Sequence, residues 1–187
     1  MPLRLITAPT EEPVTLAETK ASLRVTTSDD DALLASLVTA AREQLDGPEG
    51  LCGALLTQTW ELLLDAFPSG AIAMPLAPLQ SVTSVQYLDT AGVQQTLAAS
   101  VYVVDPDSKP GRITLAYAES WPSTRSIENA VTIRFVAGYG APDAVPGRLR
   151  TALMRLVQND YDHVGAPDLH AAMKKAILDG LWDYRWA

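Results

Sequence analysis

A strand, a turn and a helix follow one another between residues 129 and 164, and this stretch constrains the fold most strongly. Val131, Ile133 and Phe135 alternate with polar residues, and this period of two predicts a half-buried strand. Gly and Pro residues between 138 and 142 break the pattern. Apolar residues then recur at helical spacing and predict a buried stripe on an amphipathic helix, about 146–164. The stripe comprises Leu149, Ala152, Leu153, Leu156, Val157, Tyr161 and Val164, opposite Arg148, Thr151, Arg155, Asn159 and Asp162.

Two more helices are predicted ahead of this stretch, at about residues 15–24 and 29–46. Between them and the central strand, about residues 55–137, short alternating runs and turn residues predict a β-rich region. The predicted fold class is therefore α+β, with helical N- and C-terminal parts packed together around an inserted antiparallel β-rich region. We expect one α+β domain over residues 1–167, followed by a C-terminal helix and an aromatic tail over 168–187.

Cap residues support both N-terminal helices. Thr15 and Glu18 have the spacing of a capping box. Ser28 precedes three carboxylates, which the dipole of a helix N-terminus stabilises. A metal site is the alternative interpretation of these acids, but no partner ligand lies at helical spacing downstream, so we favour the cap. The three acids are Asp29, Asp30 and Asp31.

The charge and cysteine content narrow the function. The 187 residues carry a formal net charge of −8, which disfavours DNA binding through a basic patch. All of this net negative charge lies in residues 1–140, which carry 16 acidic and 8 basic side chains. A single cysteine excludes an internal disulfide and a cysteine metal cluster, and no run approaches the ~20 apolar residues of a membrane span. We expect synthesis in a reducing compartment.

No catalytic set is recognisable in the sequence. The only histidines, His163 and His170, adjoin neither a serine motif nor Cys52, which has no neighbouring cation to lower its pKa. The acidic run at 105–108 lacks the spacing of an EF-hand loop, and the glycines at 138 and 140 do not open a phosphate cradle. We predict that the chain is not an enzyme and uses no cofactor and no metal.

An aromatic strip near the end of the sequence predicts a docking role. Trp182, Tyr184 and Trp186 alternate with polar residues, so an extended chain would present all three on one side. Such a strip either folds onto its own core or docks on another chain, and we favour docking. The predicted partner-binding residues are Leu181, Trp182, Tyr184, Arg185 and Trp186.

An ordered series of segments resembles one protein family over nearly the whole chain. Each segment is weak alone, but the ordered set is specific. It comprises VTLAETK (14–20), LRV (23–25), DDALL (30–34), LLTQTW (55–60), PLQSVTSV (78–85), YVVD (102–105), PGRI (110–113), WP (121–122), VTIRFVAGYG (131–140) and VPGRLR (145–150). In this order the chain resembles the head–tail connector (adaptor) proteins of long-tailed bacteriophages, prophages and gene transfer agents.

The resemblance implies a structural virion protein at the head–tail interface, made in the cytoplasm of a bacterial host. Such adaptors form a ring of about a dozen copies below the portal, extend the DNA channel and join the capsid to the stopper or tail. The segment from Leu181 to Arg185 is similar to the family's portal-binding tail, although Asp183 stands where a proline is expected. Residues 47–53 also depart from the family's usual Thr-Gly-Arg turn.

Two surface hypotheses and two rival functions follow. Asp29, Asp30 and Asp31 are candidates for an acidic channel wall that double-stranded DNA passes without sequence-specific binding, the alternative being an ordinary solubility surface. Arg148, Arg150 and Arg155 are candidates for subunit contacts, although a solvated helix face is the favoured interpretation. The rival functions are another neck ring protein, such as a stopper or tail terminator, and a carbohydrate-binding module in which Trp60 and Trp121 stack sugars.

Overall fold

The computed structural model describes residues 2–48, 50 and 53–162, together with Lys175 and Asp179. Its internal contacts divide the chain into two units, each made of two segments. The sheet unit comprises Met1–Ala8 and Thr57–Gly138, and the helical unit comprises Pro9–Leu56 and Tyr139–Ala187. Residues 2–162 form three helices and two antiparallel sheets where the structure describes them, and this confirms the α+β class predicted from the sequence.

The sheet unit holds eight strands in two sheets. The strands are β1 (Leu3–Thr7), β2 (Gln58–Leu64), β3 (Ile72–Ala73), β4 (Leu79–Leu88), β5 (Gln94–Thr96), β6 (Tyr102–Asp105), β7 (Arg112–Leu115) and β8 (Val131–Ala137). A five-stranded sheet has the order β1-β2-β8-β4-β5, and a three-stranded sheet has the order β3-β7-β6. Every pair in both sheets is antiparallel.

The strand from the central stretch, β8, lies in the middle of the larger sheet. Its alternation is confirmed, since Val131, Ile133 and Phe135 are fully buried while Arg134 is exposed. A hairpin turn joins β4 and β5. There the carboxylate of Asp89 accepts the backbone N–H groups of Ala91 and Val93, each at 2.9 Å, as expected of an Asx turn.

The helical unit packs three helices around one apolar cluster. They are α1 (Leu16–Leu23), α2 (Asp31–Leu45) and α3 (Gly147–Asp162). The predicted stripe of α3 is buried at five positions, and it meets the buried face of α2. Those positions are Leu149, Ala152, Leu153, Leu156 and Val157, and the α2 residues are Leu34, Val38, Ala41 and Leu45. Val164 lies outside the described residues.

The two predicted helix caps have different outcomes. At α1 the capping box is confirmed, because Thr15 Oγ1 accepts the Glu18 N–H at 3.1 Å and Glu18 Oε2 accepts the Thr15 N–H at 2.8 Å. At α2 the predicted cap is wrong. The N-cap residue is Asp30, whose φ of −99° and ψ of 6° lie outside the extended region that a capping side chain requires, and no side chain caps the helix.

Three other expectations need correction or addition. Asn159, expected on the solvent face of α3, is buried. The sequence pattern also did not predict the strands β1 and β3. The predicted domain boundary at residue 167 falls outside the described residues and stays a prediction.

Candidate functional site

The acidic triplet at the start of α2 is held by partners within the helical unit. Asp30 Oδ2 accepts a hydrogen bond from the Tyr161 hydroxyl at 2.7 Å, and Asp31 Oδ1 lies 2.5 Å from Lys20 Nζ. Asp29 is exposed. The bond to Asp30, followed by burial, raises the pKa of Tyr161, so this hydroxyl keeps its proton and remains a donor. Two of the three acids therefore have a structural role.

The three arginines of α3 are in different environments. Arg150 Nη2 lies 2.6 Å from Glu18 Oε1, and Arg150 Nε donates to the carbonyl of Pro13 at 3.1 Å. Arg148 and Arg155 lie at exposed positions. Hydrogen bonds from Thr15, with a smaller contribution from Arg150, lower the pKa of Glu18. Arg150 therefore ties the segment before α1 to α3.

A partly buried ion-pair network that the sequence did not predict lies at the other end of α2. Arg42 Nε lies 2.8 Å from Glu12 Oε2, and its Nη1 lies 3.3 Å from Asp46 Oδ2. The other oxygen of Asp46 accepts the N–H groups of Gly47 at 3.1 Å and Leu55 at 2.9 Å. The i,i+4 spacing of Arg42 and Asp46 was the available signal. This network fixes the exit of the chain from α2.

A second charged cluster crosses three strands of the larger sheet. Arg4, Glu61 and Arg134 are cross-strand neighbours on β1, β2 and β8. Arg134 donates two hydrogen bonds to Glu61 Oε1, at 2.6 and 3.1 Å, while Arg4 lies 3.4 Å from Oε2. The alternation of β2 and β8 places these residues on the same face, but the register that joins them was not readable from the sequence.

A groove opens beside α2 in the helical unit, and we call it the α2 groove. Its volume is about 480 Å³, and its lining is largely apolar. Val14 and Val38, almost fully buried, form its floor. Leu16, Ala35 and Pro142 also line it, with Glu11, Glu12, Thr15 and Thr39.

The tryptophans proposed to stack sugars are engaged inside the sheet unit. Trp60 is 7% exposed, and its indole N–H donates to Gln58 Oε1 at 3.1 Å. Trp121 stacks in parallel on Phe67 with ring centroids 4.9 Å apart. An exposed sugar platform needs open ring faces, so these contacts argue against a carbohydrate-binding module.

Several other predicted residues lie outside the described residues. These are Cys52, His163, His170 and the five aromatic-tail residues Leu181, Trp182, Tyr184, Arg185 and Trp186. Among the described residues, no three His, Cys, Asp or Glu side chains are arranged to hold a metal ion. Within the same part of the chain, no helix has both the length and the apolar character to cross a membrane.

Comparison with known proteins identifies the relatives of this architecture. The model of the phage gp6-like head-tail connector protein family matches residues 13–86. A chain from the neck of an empty gene transfer agent particle, computed with C6 symmetry, matches with a TM-score of 0.78 and 29% identity. That match covers 100% of this chain and 96% of the neck chain. The predicted resemblance to head–tail connector proteins is confirmed.

Two more solved structures agree with this result. A chain in the virion of a native gene transfer agent particle matches with a TM-score of 0.72 and 29% identity, covering 94% of both chains. A chain from the neck of the native particle, computed with C12 symmetry, matches with a TM-score of 0.71 and 26% identity, covering 100% of this chain and 96% of that chain. No curated protein matches in sequence.

The matches also bear on role and location. They identify a structural protein of the particle neck, and the predicted location at the head–tail interface is confirmed. The family match begins at Pro13, immediately before the capping box of α1, and ends within β4. It therefore includes the acidic triplet, the Arg42 network except Glu12, and most of the α2 groove.

Proposed function

We propose that this chain is a non-enzymatic head–tail adaptor that forms a ring of about a dozen copies below the portal, extends the DNA channel and joins the capsid to the stopper or tail. The observation that carries the proposal is the whole-chain likeness to neck chains in particles computed with C6 and C12 symmetry. A ring of identical subunits needs a heterologous interface, in which two different patches of each chain fit together. Double-stranded DNA passes through the ring without sequence-specific contacts.

Arg148 and Arg155, at exposed positions on α3, are candidates for the subunit contacts. Arg150 is a third candidate. Its guanidinium donates hydrogen bonds to Glu18 and to the Pro13 carbonyl within the chain, so a contact with a neighbouring subunit would have to form beside those bonds. Charge reversal by Arg155→Glu is expected to reduce assembly. Normal assembly of this variant would instead assign Arg155 to a solvated helix face.

The rival neck proteins fit the architecture less well. We expect a stopper to consist mostly of strands, whereas here three helices surround a core of their own. The helical unit accordingly favours an adaptor over a stopper or tail terminator.

Portal docking through Leu181, Trp182, Tyr184, Arg185 and Trp186 is the step that most directly tests the adaptor role. Arg185→Glu is expected to weaken retention of the chain on immobilised portal by at least about tenfold, because a charged hydrogen-bonding group near aromatic anchors is a typical interface hot spot. Lys175→Glu is the matched control. Lys175 is exposed, pairs with Asp179 and lies outside the aromatic segment.

Equal retention of the two variants would remove Arg185 from the portal contact. A wild-type chain that the portal does not retain at all would contradict the adaptor role itself.

A further inference from the structure

The outer side of α2 lacks the charges that a solvent-exposed helix normally carries. The nine residues from Ala32 to Ala40 comprise seven apolar side chains, two hydroxyl side chains and no charged group. Leu34 is fully buried in the helical unit, whereas Leu33 is 42% exposed. A helix that is apolar around its whole circumference is normally buried on every side. The outer side of α2 is therefore suited to contact with another chain.

The two hydroxyl groups in this stretch already have acceptors within the unit. Ser36 Oγ donates to the Leu33 carbonyl at 2.7 Å, and Thr39 Oγ1 donates to Glu12 Oε1 at 2.9 Å. Because a hydroxyl has one hydrogen to donate, a partner can cover both groups without leaving a donor unpaired. Removing this surface from water therefore costs little.

We propose that this surface packs against the outer side of α3 in a neighbouring copy of the chain. The inference rests on the proposed ring, for which it names the two different patches that a heterologous contact needs. All residues of both patches lie at exposed positions. The α2 outer face consists of Ala32, Leu33, Ser36, Ala40 and Glu43, and the α3 outer face consists of Thr151, Arg155 and Gln158.

The two outer faces lie on different sides of the helical unit. Two residues along an α-helix correspond to a rotation of about 200°. Ser36 therefore faces away from the buried Leu34, and Thr151 faces away from the buried Leu153. The buried sides of α2 and α3 pack against each other in the apolar cluster, so their outer faces point in different directions. Each copy can offer one face and receive the other, and the contact then repeats around a ring.

The charges on the two faces are complementary. Glu43 is the one residue of α2 that is both charged and exposed, and it approaches Arg42 only at 3.9 Å. Arg42 makes its shorter contacts with Glu12 and Asp46. Arg155 supplies an exposed cation on the α3 outer face. An ion pair between Arg155 of one copy and Glu43 of the next fixes the register of the contact, while contributing little affinity of its own.

Cross-linking between cysteines on the two faces tests the contact. In a Cys52→Ser background, the full-length chain with Ser36→Cys and Thr151→Cys is assembled, alone or on its portal. It is then treated with a bismaleimide that spans about 10 Å, the distance between packed helix axes. We expect a ladder of cross-linked species that extends towards the full ring. The linker cannot join both cysteines within one chain, because two helix widths of about 10 Å each separate them.

The matched control moves one cysteine from α2 to α1. Ser22 is exposed on α1, so Ser22→Cys with Thr151→Cys is expected to give no ladder. A ladder of equal yield in this control would contradict a specific contact between the α2 and α3 outer faces.

The remaining cross-linking results separate this inference from the adaptor proposal. If the native mass shows a ring but the Ser36→Cys, Thr151→Cys chain stays uncross-linked, the inference is overturned and the adaptor proposal stands. Cross-linked dimers of a chain with Ser36→Cys alone would show that two α2 outer faces meet, which also overturns it. A chain that forms no ring either alone or on its portal would overturn both proposals.

Charge exchange provides a second test of the same contact. Arg155→Glu is expected to raise the chain concentration needed for half-maximal assembly at least about threefold, because it faces Glu43 of the next copy. Adding Glu43→Arg should restore this concentration to within about twofold of wild type. Arg155→Glu with Glu119→Arg has the same net charge but places the new cation in the sheet unit, so it should not restore assembly. Equal rescue by both second substitutions would contradict the pairing of Arg155 with Glu43.

Discussion

Asp46 is a nearly buried carboxylate whose partners hold two segments of the helical unit together. Its side chain is 3% exposed and bonds Arg42, Gly47 and Leu55. Asp46→Ala leaves Arg42 without one partner and two backbone N–H groups without an acceptor. We predict a loss of about 2–4 kcal/mol in the free energy of unfolding, measured by urea denaturation.

Glu43→Ala is the control for that measurement. Glu43 also approaches Arg42, but at 3.9 Å and with its side chain 68% exposed. Its removal should change the free energy of unfolding by less than about 0.5 kcal/mol. Comparable losses in both variants would contradict the view that burial gives Asp46 its importance.

Glu18 makes the stability of the helical unit depend on acid pH. Because its pKa is lowered in the folded state from a usual value of 4.5, the unfolded chain takes up this proton first. The stabilisation is present above about pH 4.5 and disappears as the pH falls towards the lowered folded pKa. Glu18→Gln keeps the capping-box geometry but not the charge. We therefore predict that this variant loses less resistance to urea than the wild-type chain as the pH falls below 4.5. A slope identical to wild type would contradict this role.

Individual residues were predictable where their roles were local. The capping box of Thr15 and Glu18 depends on a spacing of three and was predicted correctly. Asp30 was not, because the distant Tyr161 engages its carboxylate in place of the helix N-terminus. The pairing of Arg150 with Glu18 likewise joins residues far apart in the sequence, which no spacing rule reveals.

At the level of elements, close packing at the start of β7 makes Gly111 sensitive to any side chain. A Cβ atom there would lie 2.6 Å from Cβ of Leu79, the first residue of β4, and the Gly111 carbonyl accepts the Met74 N–H at 2.7 Å. We predict that Gly111→Ala lowers the free energy of unfolding by about 1–3 kcal/mol, measured by urea denaturation.

Gly70→Ala provides the matched glycine control, since a Cβ atom at Gly70 meets nothing within 4 Å. This variant should be neutral or slightly stabilising, because alanine restricts the unfolded chain. If Gly111→Ala leaves the free energy of unfolding unchanged, β7 and β4 can move apart without loss of stability.

Elements were predicted well where one period dominates. The helix predicted from about residue 146 begins at Gly147 in α3. Because prolines lie on both sides of β1, the sequence pattern did not predict a strand there. The stability of β1 comes from pairing with β2, more than fifty residues away. With only two residues, β3 has no periodicity to detect. The division of eight strands into two sheets depends on such long-range pairing.

On the scale of the whole molecule, the negative charge acquires a testable meaning through Asp29. Asp30 and Asp31 bond Tyr161 and Lys20, so reversing their charge would also disturb the fold, whereas Asp29 is exposed. If the triplet lines the channel, Asp29→Lys should slow DNA release from assembled particles, because phosphates bind the new cation. Release should be unchanged by Glu119→Lys, an exposed control in the sheet unit. Equal release rates for both variants would remove Asp29 from the channel wall.

The measurement that most directly tests the proposed adaptor function is the native mass of the chain, alone and mixed with its portal. One chain has a mass of 20.1 kDa, so a ring of about twelve copies adds roughly 240 kDa. We predict this increment on the portal, and also in isolation if the ring forms without a template. A chain that stays at the mass of a monomer or a closed dimer in both conditions would contradict the account.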